Sequence, residues 1–177
     1  MKPSHPPLLA THEVFNQAPA LVDYNLYARN PALQEAVTRE GAGWAHDWLM
    51  QRGGELGGAQ MLEWASQANK SPPTLKLFDN GGNRRDEVEF HPAYHQLMTY
   101  LKRHGASAGP WADPVAGAHV KRAAFYMLYA EIEDGTLCPT TMTYAVVPAI
   151  SRDQPLADEW LPRIYSLDYD QRFLPAA

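Results

Sequence analysis

Residues 113–135 run DPVAGAHVKRAAFYMLYAEIEDG. Within them Phe125, Leu128, Tyr129 and Ile132 fall at i, i+3, i+4 and i+7, the spacing that places side chains on one face of an α-helix. Asp113 followed by Pro114 supplies a cap and then a first-turn residue whose missing N–H would have no helical partner. Gly135 supplies a C-terminal stop. The stretch predicts the longest helix of the chain, carrying an aromatic-rich stripe to be buried.

The same punctuation recurs upstream. Pro92 opens a helix with Tyr94, Leu97, Met98 and Leu101 as its apolar face, and the small residues 105–109 form the loop that follows. Asp79, Asn80, Gly81, Gly82 and Asn83 make a turn between short extended pieces at 74–78 and 87–90, a hairpin signal. Met61, Trp64, Ala65 and Ala68 predict a helix over about 55–69, although Gly57 and Gly58 weaken its first turn. Ser71, Pro72 and Pro73 stop it. Asn30 and Pro31 open a further helix in which Leu33, Val37, Trp44 and Trp48 recur at helical steps, closed by Arg52, Gly53 and Gly54.

Downstream, Pro139 begins a helix with Met142, Ala145, Val146 and Ala149 on one side, which Pro148 bends or ends. A short helix over 156–161 leads into a tail without period. Residues 1–30 lack period as well, and Pro3, Pro6, Pro7 and Pro19 break helices there. Phe15, Leu21, Tyr24, Leu26 and Tyr27 of this arm must dock either on their own domain or on a neighbouring subunit. Five or six helices with one hairpin predict an all-α bundle: an extended arm at 1–30, a helical domain at 31–164 and a tail at 165–177.

Composition narrows the function classes. Hydrophobic residues at 45% and charged residues at 20% belong to a globular chain, and 177 residues suit one domain. A formal net charge of −5 repels phosphate backbones. The strongest basic clusters (Arg84 and Arg85; Lys102, Arg103 and His104; Lys121 and Arg122) are short, as on solvated helix faces, and make no nucleic-acid patch. The single cysteine excludes an internal disulfide framework and suits a reducing cytosol. No apolar run is long enough for a signal peptide or a bilayer crossing, so a soluble cytoplasmic protein without membrane contact is expected.

Motifs that carry chemistry are sparse. There is no glycine-rich turn after a strand and no phosphate loop. His91 and His95, four residues apart, could share a metal ion on one helix face. However, Pro92 and Ala93 cannot supply the base of a zinc hydrolase, and His91 sits where a helix cap belongs; no metal is expected. Cys138 before Pro139 lies at a helix N-terminus, where thiols acidify, but no histidine is close in sequence and an unreactive, buried thiol is the reading preferred. Glu131, Glu133 and Asp134 sit at the end of the aromatic helix, where its dipole disfavours them, and are read as solvated.

A resemblance takes the reading further. Residues 11–17 (THEVFNQ), 25–27 (NLY), 36–44 (AVTREGAGW), 90–95 (FHPAYH), 138–145 (CPTTMTYA) and 169–175 (YDQRFLP) occur in the order and spacing of AidB-like proteins of the acyl-CoA dehydrogenase family, which the chain resembles. The resemblance implies the N-terminal helical bundle domain of a flavoprotein linked to the alkylation-damage response. In that family a β-domain and a C-terminal bundle follow, FAD lies between those two parts, and the assembly is a homotetramer. The catalytic base and a basic DNA-binding region belong to the C-terminal part. The flavin site, the base and the basic region are therefore expected beyond Ala177, so that this chain alone has no catalytic, cofactor or metal residue. The helix from Pro139 resembles the one bordering the acyl cavity, which makes Thr140, Thr143 and Tyr144 candidate cavity-lining residues. The alternative is part of an active FAD-dependent acyl-CoA dehydrogenase completed by missing or separate domains.

Overall fold

The structure, a computed structural model, describes residues 15–172. The prolines at 3, 6 and 7, residues 11–14 of the first family string and residues 173–175 of the last lie outside them. Among the described residues there are eight α-helices and one two-stranded antiparallel sheet. In chain order these are α1 (Pro31–Arg39), a single 3-10 turn (Gly43–Ala45), α2 (His46–Leu56), α3 (Ala59–Lys70), β1 (Thr74–Phe78), β2 (Arg84–Glu89) and α4 (Pro92–Arg103). α5 (Gly109–Ala112), α6 (Ala118–Ala130), α7 (Leu137–Ile150) and α8 (Gln154–Tyr165) follow. None of the described helices is long and apolar enough to cross a membrane.

The all-α reading holds, with five corrections in its detail. The helix expected from Pro31 through Trp48 is two helices. Gly41 has φ +83°, left-handed backbone that a glycine adopts without strain, and it breaks the run so that α1 and α2 take different directions. Gly53 and Gly54 do not end α2, which continues to Leu56, and α3 begins only at Ala59. The aromatic helix starts at Ala118 rather than Pro114. Residues 113–117 turn beforehand, with Gly117 at φ +81° and so close to Gly41 that a Cβ there would lie 2.5 Å from the Gly41 carbonyl oxygen. α6 then ends at Ala130, leaving α7 one residue longer. α8 exceeds its expected span because Asp153 caps it by accepting from the Leu156 N–H at 3.2 Å, with Pro155 in its first turn.

The α6 stripe is the centre of the bundle. Phe125, Leu128 and Tyr129 are fully buried, and α6 packs against α1, α2 and α5. Leu49 and Leu56 of α2 and Leu97 and Leu101 of α4 complete the same cluster. Burying each such leucine contributes roughly 1.5–3 kcal/mol. α3 lies along α4 through Met61 and Ala65, as its stripe predicts.

The N-terminal arm divides. Phe15 and Leu21 are 87% and 70% exposed, whereas Leu26 and Tyr27 are completely buried in the core. This half docks by hydrogen bonds to α2: the Asp23 N–H donates to the Gly57 carbonyl at 2.8 Å, the Leu26 N–H to Gly53 at 3.1 Å, and the Asn25 side-chain amide to Met50 at 2.8 Å. Of these three, the Gly57 carbonyl lies at the C-cap of α2, where a helix leaves its carbonyls without helical partners. Asp23 also caps α3 by accepting from the Ala59 N–H at 3.0 Å. The dipeptide Leu26-Tyr27 is therefore as much core as any helix.

The hairpin is real but unburied. Thr74 pairs with Glu89 and Phe78 with Arg84, and a bulge on β2 accommodates Asp86 at φ +53°. Asp79 closes the turn by accepting from the Asn83 side-chain amide and from the Asn83 and Gly81 N–H groups, and these bonds, the Asn83 side chain's foremost, hold its carboxyl below the usual carboxylate range. Leu75, Leu77, Phe78 and Val88 all remain exposed.

Candidate functional site

α7 carries every residue that the resemblance nominates. Its N-terminus is built by Glu133, whose carboxylate accepts from the Thr136 N–H at 2.9 Å and also from the Gly135 N–H and the Thr136 hydroxyl. Glu133 thus serves the positive end of the α7 dipole rather than standing as a solvated residue at the negative end of α6. Thr136 in turn meets the buried Tyr129 hydroxyl at 2.8 Å, tying α6 to the start of α7. Burial drives the Tyr129 phenol far above its ordinary pKa, so it stays a neutral hydrogen-bonding group. Cys138, in the first turn, is exposed rather than buried.

Thr140 and Thr143 line one cavity of about 190 Å³, together with Met98, Lys102, Ser107 and Tyr169. Their hydroxyls are committed to the helix: Thr140 donates to the Thr136 carbonyl at 2.8 Å and Thr143 to the Pro139 carbonyl at 3.0 Å. Neither is free to donate to a guest, so they offer shape rather than acid–base chemistry. Lys102 donates to the Ile164 carbonyl at 2.7 Å, and burial lowers its pKa. Tyr169 is pushed up to about 12, chiefly by burial. Lys102 and Tyr169 escape a helical-stripe reading because one lies at the polar edge of α4 and the other in the aperiodic tail.

Tyr144 does not share that cavity. Its hydroxyl meets His119 Nδ1, its carbonyl accepts from the Trp111 indole at 3.0 Å, and the Arg122 guanidinium lies 3.7 Å above its ring centroid. These contacts fasten α7 to α5 and α6, a packing role for the side chain in this structure.

The histidine pair is likewise separated by its partners. His91 caps α4, its Nδ1 accepting from the Ala93 N–H at 3.1 Å, and His95 Nδ1 meets the Tyr169 hydroxyl at 3.0 Å. Among the described residues no group of three or more His, Cys, Asp or Glu side chains gathers as a metal site would require.

Burial also perturbs the titration of His104. Its Nδ1–H donates to the Tyr100 carbonyl at 2.8 Å, and its ring packs against Trp48, Tyr100 and Phe125. Burial depresses its pKa below the ordinary histidine value, and the Arg52 charge acts in the same direction. The sign follows: below about pH 6.5 the unfolded chain takes up a proton that the folded chain resists, so stability present above that range is lost on acidification. Replacing His104 with Gln should flatten this part of the profile. Urea unfolding at about pH 7.5 and about pH 5 checks it; an equal acid loss in H104Q would refute the assignment.

The chain matches the family model of the adaptive response protein AidB N-terminal domain over residues 16–171. It is 46% identical over 167 residues to AidB of Escherichia coli (strain K12), whose name classes it with the acyl-CoA dehydrogenases; the alignment covers 93% of this chain and 31% of that protein. The chain therefore spans about a third of the length of this curated relative, and other domains exist in the family. Among solved structures, ACDH-11 of Caenorhabditis elegans in complex with C11-CoA superposes with a TM-score of 0.73 at 18% identity, covering 91% of this chain and 29% of that one. The apo form of Bd2924 gives 0.74 at 24% identity, covering 88% and 32%. These two likenesses establish the fold alone. With the family match spanning nearly all of the described residues and the helical fold agreeing, the chain belongs to the AidB N-terminal domain family, as a domain of an acyl-CoA dehydrogenase-like protein.

Proposed function

We propose that this chain is the structural and assembly domain of an AidB-like flavoprotein of the alkylation-damage response, working in the cytoplasm as part of a homotetramer. The observation that carries the reading is the outer face of α7. Met142, Ala145, Val146 and Ala149 share one side of the helix at i, i+3, i+4 and i+7, and all are exposed, Met142 at 69%. The side turned to the core carries Leu137, Thr140 and Val147 instead. An apolar stripe at helical spacing that its own bundle leaves open is what a domain offers to parts packed onto it. The remaining length of AidB-like relatives, carrying the β-domain and the C-terminal bundle, is the cover we assign to it.

FAD belongs to those further parts in this proposal. A dinucleotide exceeds drug-sized ligands, whose pockets run to about 300–1,000 Å³, and the Thr140–Thr143 cavity holds about 190 Å³. The cavity suits an apolar tip entering from elsewhere, and Thr140 and Thr143 are proposed as lining for an acyl chain. Tyr144, turned toward His119 and Arg122, is left out of that lining. DNA contact is assigned to the basic C-terminal region of the family.

Two measurements test the proposal. Sedimentation of the chain should show self-association through the uncovered α7 face, and a Met142→Glu, Val146→Glu double variant should be monomeric with stability changed by less than about 0.5 kcal/mol, as for surface substitutions. A double variant that unfolds, or that associates as the parent does, refutes the face. The purified chain should also be colourless; flavin absorbance retained at stoichiometric level after gel filtration would place the cofactor site here instead.

A further inference from the structure

A second cavity, of about 250 Å³, opens between the end of α4, the α5 turn and the first turns of α6, on the side of the bundle that carries Trp44 and Trp48. Its lining is unlike the chain as a whole. The protein carries a net charge of −5, yet Arg103, Lys121 and Arg122 converge here against the single carboxylate of Asp113. Among the described residues none of these three cations lies within 4.0 Å of a carboxylate.

The cations are held by groups that leave their charge unneutralised. Lys121 Nζ stands 4.1 Å from the Trp48 ring centroid and 5.7 Å from that of Trp44. A π-face fixes an ammonium without cancelling its charge. Arg122 donates through Nε to the Ala106 carbonyl at 2.6 Å and stacks on Tyr144, while its Nη2 is buried without a partner. Arg103 stands exposed at the rim. Trp44, 55% exposed and fixed by its indole N–H on the Ala116 carbonyl at 2.9 Å, forms an apolar wall with Val115 and Leu167.

We propose that this cavity binds a small organic anion, its carboxylate or phosphate meeting Lys121 and Arg103 and its planar or short apolar body lying along Trp44. The volume falls below the roughly 300–1,000 Å³ of drug-sized pockets, which sets a small molecule rather than a polymer as the occupant. A half-buried, preorganised cation gains more from an anion than one in bulk water, because the local dielectric is lower. The site is separate from α7's outer face and from the Thr140–Thr143 cavity, so it stands or falls independently of the assembly role.

The test uses the full 177-residue chain at about 10 mM ionic strength, where screening is weak. Benzoate, adenosine monophosphate, inorganic phosphate and adenosine are titrated while the indole N–H resonances of Trp44 and Trp48 are followed. Benzoate or the monophosphate should move these signals saturably, and which of the two binds more tightly distinguishes a carboxylate from a phosphate ligand. Inorganic phosphate and adenosine, lacking body and charge respectively, should each bind at least tenfold more weakly than the better organic anion. Lys121→Gln should weaken that anion at least tenfold, and Arg103→Gln, at the exposed rim, severalfold with the unfolding midpoint unchanged. No saturation by about 10 mM, adenosine binding as well as its monophosphate, or unchanged affinity in R103Q and K121Q overturns the proposal. Should K121Q fail to fold, R103Q alone decides.

Discussion

Gly57→Ala is expected to cost about 3 kcal/mol, the upper range for forcing an extra group into a packed site. A Cβ at Gly57 would stand 1.8 Å from the Tyr24 carbonyl oxygen and 2.9 Å from its carbon, both backbone atoms that no rotamer change can move. The segment it would displace is the one that seats Leu26 and Tyr27 in the core, so the strain spreads to residues that are completely buried. For a chain of this size the thermal midpoint should fall by about 6–12 °C. Gly53 obeys the same constraint, with Asn25 and Tyr27 atoms at 2.5–2.7 Å from its Cβ position. Gly54, between them and exposed, meets only the Asn25 amide at 3.4 Å. Gly54→Ala should therefore stabilise, by up to about 1 kcal/mol from helix propensity. Thermal denaturation of the two variants side by side is decisive: equal effects would mean that the arm does not lie on α2 as described.

Phe125→Ala should destabilise by about 3–5 kcal/mol, the cost of emptying a buried aromatic site. Phe125 is 1% exposed and stands edge-on to Trp48 at 5.2 Å between centroids, with the Tyr100 and His104 rings at 6.1 and 6.0 Å. It joins α6 to α2 and α4 at once, so the cavity cannot be closed by moving one helix alone. Phe125→Leu, which keeps most of the volume, should recover more than half of the loss. Chemical denaturation monitored by far-UV dichroism and by Trp48 emission should show one transition moved to lower denaturant. A loss under about 1 kcal/mol would mean that this aromatic cluster is not the centre of the core.

How far each site could be read before folding depends on where its information lies. The candidate cavity-lining residues came from the string at 138–145, and two of the three share a cavity; Tyr144 points elsewhere because its neighbours Trp111, His119 and Arg122 arrive from α5 and α6. The basic cavity drew no notice from clusters two or three residues long. Arg103, Lys121 and Arg122 are unremarkable in sequence and become a site only when α4 and α6 bring them beside Trp44 and Trp48. The arm's docking also bears on any truncation: a deletion through Tyr27 removes core, and one meant to test Phe15 and Leu21 must stop short of Asp23, which bonds Gly57 and caps α3.

By itself the sequence determined the helical class, the hairpin turn at 79–83, the caps at Asn30, His91 and their following prolines, and which faces of α3, α4 and α6 are buried. These follow from interactions within a few residues, namely hydrogen bonds at helix ends, proline geometry and side-chain periodicity, which any window of the chain contains. Only the tertiary structure decided that Gly53 and Gly57 seat the arm, Gly53 from within α2 and Gly57 at its C-cap, that Gly117 lies against Gly41, and that Glu133 serves the start of α7. It also decided which side of α7 faces inward. A glycine that ends a helix and one that admits a crossing chain look alike until the crossing chain is in place. A helix with apolar residues on two sides, such as α7, contains no local signal for choosing between them: one face is buried by its own bundle, and the other is left exposed for what packs against it.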